Sequence, residues 1–108
     1  NNPSQNPPKE TINLLENLYN VGDFFSVIKK TKALLLQYPE SFLLWNALGT
    51  SSTHVGMVDQ AVIALNKVLT LNPNHFEAYS NLGVALFKQG KFDEAIDAYK
   101  KAIFLKPD

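Results

Sequence analysis

Cysteine and arginine are both absent from this 108-residue chain. Without cysteine there is no disulfide framework and no thiolate metal site. That fits a reducing compartment, so a cytoplasmic location is expected. Without arginine the chain lacks the fork that grips phosphates and reads base edges. Its ten lysines are balanced by ten acids, so there is no basic surplus either, and nucleic-acid binding is disfavoured. No run of eighteen apolar residues occurs, which argues against a membrane span. The five glycines stand singly, so no glycine-rich phosphate loop can form. No signal-peptide pattern is present, and Pro3 disables Asn2-Pro3-Ser4 as a glycosylation acceptor.

What the chain does have is regular punctuation. Gly22, Gly56 and Gly90 lie thirty-four residues apart, and so do Pro39, Pro73 and Pro107. Two independent markers with one period indicate stacked helical hairpins. Such an array presents an extended binding surface rather than a buried catalytic centre. Between the marks, apolar residues recur at three- and four-residue steps, as amphipathic helices require. Tyr79, Leu82 and Leu86 form one such face, and Phe92, Ala95, Ile96, Tyr99, Ala102 and Ile103 its antiparallel mate.

The spacing predicts helices over 9–21, 24–37, 42–55, 58–71, 76–89 and 92–105, after a flexible lead-in at 1–8. Each of the three glycines falls where a helix ends and a left-handed residue is wanted. Asp23, Asp59 and Asp93 follow, where a carboxylate suits the next helix start. Each proline ends the second helix of a pair. Asn74 and Glu77 have the spacing of a capping box, with Asn74 as the cap.

These residues resemble the tetratricopeptide repeat, whose pattern asks for an aromatic, a Leu-Gly step, a large residue, Ala, an aromatic, Ala and a closing Pro. Residues 76–108 supply Tyr79, Leu82-Gly83, Leu86, Ala95, Tyr99, Ala102 and Pro107. Residues 42–75 keep Trp45, Leu48-Gly49, Ala61, Leu65 and Pro73 but place Ser52 at the large position and Val68 at the second Ala. Residues 8–41 keep Leu14, Leu18 and Pro39, with Thr11, Leu15, Val27 and Leu34 at the aromatic, Gly and two Ala positions. The resemblance implies an all-α fold, a right-handed superhelical solenoid of three antiparallel helix pairs forming one domain over 9–108. It also implies that Gly83 faces Ala95 and Gly49 faces Ala61 across their hairpins. Leu15 and Val27 at the same place predict a wider first hairpin. The start without methionine and the stop after Pro107 suggest a piece of a longer protein.

In the resembled family the first helices line a concave groove that binds an extended peptide. Carried over by position, the inward residues begin with Lys9, Ile12, Asn13, Glu16 and Asn20. The second repeat adds Leu43, Asn46, Thr50, Thr53 and His54, and the third Glu77, Ser80, Asn81, Val84, Phe87 and Lys88. Asparagine offers a donor and an acceptor, which matches a peptide unit. Asn13 and Asn81 stand in equivalent places, and Asn81-Leu82-Gly83 is similar to the asparagine ladder of O-linked N-acetylglucosamine transferases. Ala47 breaks the middle rung, with Asn46 adjacent. A carboxylate clamp is disfavoured, because its other positions hold Ile12, Glu16, Ala47 and Glu77.

No constellation for catalysis or metal binding stands out. His54 and His75 lie in different repeats with no third ligand at metal spacing. Ser51, Ser52 and Thr53 next to His54 face different ways on one helix. Asp93, Glu94 and Asp97 read as dipole partners rather than paired catalytic acids. Lys29, Lys30 and Lys32 read as a solvated face, and Trp45 as core. The expectation is therefore a non-enzymatic protein-interaction scaffold with a protein or peptide partner and no cofactor. The alternatives are a self-assembling module, joined through a last helix pair that exposes Phe104, and the recognition arm of a larger glycosyltransferase-like enzyme.

Overall fold

The structure, a computed structural model, describes residues 5–106. Among them are six helices and no strand: α1 (Lys9–Asn20), α2 (Phe24–Leu35), α3 (Phe42–Val55), α4 (Val58–Leu71), α5 (Phe76–Lys88) and α6 (Phe92–Leu105). They form three helical hairpins stacked side by side, and each later hairpin packs on the one before it through α2 with α3 and α4 with α5. Residues 1–4 of the expected lead-in and the closing Pro107 lie outside the described residues.

Within each hairpin the turn repeats the same backbone solution. Gly22, Gly56 and Gly90 have φ of 82°, 78° and 80°, the left-handed region that glycine enters without strain. Each lies inside a bond that closes the preceding helix. The amides of Asp23, Met57 and Lys91 donate to the carbonyls of Leu18, Ser52 and Leu86, at 2.9 Å in all three turns. The next helix then starts from a cap where the sequence offers one. Ser26 N–H donates to Asp23 Oδ1 at 3.3 Å, and Asp59 and Asp93 lie in the first turns of α4 and α6.

Two local expectations need correction. The cap of α5 is His75, not Asn74: Ala78 N–H donates to His75 Nδ1 at 3.1 Å. The helix begins at Phe76, so His75 is the residue whose side chain can reach the free amide three positions on. Asn74 stays in the turn, its N–H donating to Asn72 Oδ1 at 3.3 Å. In addition, α2 stops at Leu35, two residues before the predicted end. The lead-in is also held at its last residues. Pro7 is buried, and the Ser41 hydroxyl donates to Asn6 Oδ1 while accepting Leu44 N–H at the start of α3.

The core is distributed along the stack. One cluster joins Ala61, Leu65 and Val68 to Ala78, Leu82, Ala85, Leu86, Ala95 and Ala98. Smaller ones join Leu15, Val27 and Leu44, and Ile28, Leu48 and Ala64. Each unites neighbouring hairpins, as a structure without a single centre must do. Trp45 packs at this junction and donates Nε1–H to Pro39 O at 2.8 Å.

The glycines of the Leu-Gly steps have their closest neighbours across the hairpin one turn beyond the expected Ala61 and Ala95, which are themselves buried. A Cβ on Gly49 would lie 2.9 Å from Leu65, and one on Gly83 would lie 2.8 Å from the Tyr99 ring. The contact is thus one turn further along α4 and α6, where a bulky side chain lies over the glycine. In the first hairpin the sizes are exchanged: Leu15 stands at the glycine place and Thr31 at the place of Leu65 and Tyr99. Both are buried, and the Thr31 hydroxyl donates to Ile28 O at 3.1 Å. The exchange does not restore the close approach. Far less of α1 lies against α2 than of α3 against α4 or α5 against α6, which agrees with the predicted wider first hairpin.

Candidate functional site

The first helices of the hairpins enclose an open cleft of about 770 Å³. From α1 it takes Ile12, Leu15, Glu16, Tyr19 and Asn20, and from α3 it takes Leu43, Asn46, Ala47 and Thr50. His75, at the N-cap of α5, and Phe76, Glu77, Ser80 and Asn81 of that helix close the far side. The cleft crosses the helices obliquely. It meets α1 in its middle and C-terminal half, α3 in its first nine residues and α5 in its first six. The lining shifts toward the N-terminal end of each successive first helix, so equivalent sequence positions do not all line the cleft.

That obliquity sorts the residues chosen from sequence. Glu16, Asn20, Asn46, Thr50, Ser80 and Asn81 line the cleft, with Ile12, Leu43 and Glu77. Asn13, Thr53, His54, Val84, Phe87, Lys88 and Lys9 do not. Asn13 is exposed and shares a face of α1 with Glu16 and Asn20 but does not line the cleft, so of the ladder positions only Ala47 and Asn81 line it, with Asn46 beside them. Thr53 donates its hydroxyl to Gly49 O at 2.8 Å. His54 belongs to an aromatic cluster with Tyr19 and Phe24. Its ring stacks on Phe24 at 4.3 Å with 3° between planes, and its Nε2 is hydrogen-bonded to the Tyr19 hydroxyl at 3.0 Å. Phe87 pairs edge-on with Phe92 at 5.1 Å, at the α5–α6 turn.

Leu15, Tyr19, Ala47, His75 and Phe76 line the cleft without having been expected there. For Tyr19 a signal existed: it occupies the same repeat position as Thr53 and Phe87, which were chosen. His75 was masked by the assignment of the cap to Asn74.

The lining is mixed apolar and hydrogen-bonding. The Thr50 hydroxyl donates to Asn46 O at 2.8 Å, which leaves only its lone pairs for a ligand. The Asn46 Oδ1 atom is buried without a hydrogen-bond partner. His75 Nδ1 accepts a backbone amide, so the neutral ring carries its proton on Nε2, 3.8 Å from Glu77 Oε1. Among the described residues no group of three His, Cys, Asp or Glu could hold a metal ion, and no helix is long and apolar enough to cross a membrane.

Comparison with known proteins gives one consistent likeness. A family model described as tetratricopeptide repeat matches residues 76–108, and one described as TPR repeat matches residues 56–90. A crystal structure of MamA is 28% identical, with a TM-score of 0.85, over 91% of this chain and 58% of that one. MamA from Desulfovibrio magneticus RS-1 superposes with a TM-score of 0.87 at 24% identity, over 94% of this chain and 57% of that one. An O-GlcNAc transferase of Thermobaculum terrenum has a TM-score of 0.83 at 22% identity, over 93% of this chain and 19% of that one. This chain therefore spans just over half the length of the MamA chains. No curated protein matches its sequence.

Proposed function

We propose that this chain, which belongs to the tetratricopeptide repeat family, acts as a protein-interaction module that holds an extended peptide segment in the cleft of α1, α3 and α5. The observation that carries this reading is the cleft itself: three helices from three hairpins turn Asn20, Asn46, Thr50, Ser80 and Asn81 toward one concavity beside apolar Ile12, Leu43 and Phe76. Amide side chains satisfy the donors and acceptors of an extended backbone, while the apolar positions bury alternate side chains. No catalytic role is assigned to it.

The reading is tested with binders selected from a degenerate pool of capped heptapeptides. Asn46→Ala and Asn81→Ala are each expected to weaken binding about two- to tenfold, the worth of one hydrogen bond. Asn13→Ala, outside the cleft, is expected to leave affinity unchanged. Affinity that ignores Asn46 and Asn81 would sink the proposal.

A second reading, self-association, is favoured by the last hairpin. Phe104 is 81% exposed and Ile103 61%. Apolar side chains adjacent in sequence at such exposure suit a contact with a second copy.

A further inference from the structure

We infer that the cleft selects a segment carrying a lysine or arginine side chain, a specificity that rests on the cleft being a peptide site. The first observation is charge. Glu16 from α1 and Glu77 from α5 stand on facing walls of the cleft, and none of the ten lysines lines it. Lys106 is not a lining residue, and its Nζ lies 4.8 Å from the Phe76 ring centroid. Glu16 forms no salt bridge among the described residues. Glu77 faces His75 Nε2 at 3.8 Å, beyond hydrogen-bond reach. Glu16 is thus left for a ligand, and Glu77 is left for one while the His75 ring is uncharged.

The second observation is the balance of hydrogen-bond roles. Thr50 has given its proton to Asn46 O and can only accept. Glu16 and Glu77 add acceptors to the polar lining, beside the donors His75 Nε2–H and the Ser80 hydroxyl, and they are its only formally charged side chains. The amides of Asn20, Asn46 and Asn81 suit the peptide chain, and the two carboxylates suit a donor-only head group. Lysine and arginine are the side chains that donate without accepting. Glutamate, or a free C-terminal carboxylate, would meet two like charges instead.

The experiment measures binding of capped heptapeptide pools that differ only at the central position, which is Lys, Arg, Gln, norleucine or Glu. The Lys and Arg pools are expected to bind about threefold or more tightly than the Gln pool, with the advantage shrinking from about 50 mM to about 300 mM salt. Glu16→Gln and Glu77→Gln, substitutions at exposed positions, are each expected to remove roughly threefold of that advantage, read as the ratio of Lys-pool to Gln-pool affinity on the same variant. Equal binding of the Lys, Gln and norleucine pools, or preference for the Glu pool, overturns the inference while leaving peptide binding intact. Failure of every pool to bind overturns the peptide-site reading and this inference with it.

Discussion

Size complementarity at single residues sets how closely each hairpin closes. Gly83 lies under the Tyr99 ring, Gly49 under Leu65, and the first hairpin reverses the pair with Leu15 and Thr31. Gly83→Ala would put a methyl 2.8 Å from an aromatic ring in a packed interior, with an expected cost of about 1–3 kcal/mol. Tyr99→Thr should relieve that clash. The double variant, tested by urea unfolding, is then expected to be more stable than the sum of the singles predicts, by about 0.5–3 kcal/mol. Additive costs would show that the glycine is not held by Tyr99. The sequence led to Ala95 as the facing residue because the repeat pattern marks small residues. The same pattern marks the aromatic place that Tyr99 fills one turn on, but not that its ring lies over Gly83.

At the scale of helices, starts and stops were legible because they depend on local chemistry. Gly22, Gly56 and Gly90 adopt the left-handed geometry expected of them, and α3, α4 and α6 have the predicted bounds. The cap of α5 was misplaced by one residue because histidine can cap through Nδ1, a role that sequence pattern assigns more readily to asparagine. Repetition also explains the surface at the far end. Tyr19 and Phe24 pair edge-on at 5.2 Å and are covered by His54; Phe87 and Phe92, two repeats on, pair in the same way at 5.1 Å and are 59% and 54% exposed. With Ile103 and Phe104 they give α6 and its turn an apolar surface. Light scattering over a concentration series is expected to show a mass above that of the monomer, restored to the monomer by Phe104→Lys. A monomer at all concentrations would remove the self-association reading.

For the whole molecule, the order of hairpins and the side that bears the cleft follow from the thirty-four-residue period, while the path of the cleft does not. The period ranks Asn13, Ala47 and Asn81 as equals, but the cleft's lining omits Asn13 and includes Tyr19, His75 and Phe76. The course of the cleft depends on how successive repeats stack, which no single repeat encodes. The central claim is that this oblique path is where a peptide lies. Its most direct test is to titrate the tightest selected capped heptapeptide into isotope-labelled protein and map amide chemical-shift changes. The account predicts changes concentrated at Asn20, Asn46, Thr50, Ser80 and Asn81, on the three first helices. Changes confined to α2, α4 and α6, with those five amides unmoved, would contradict it.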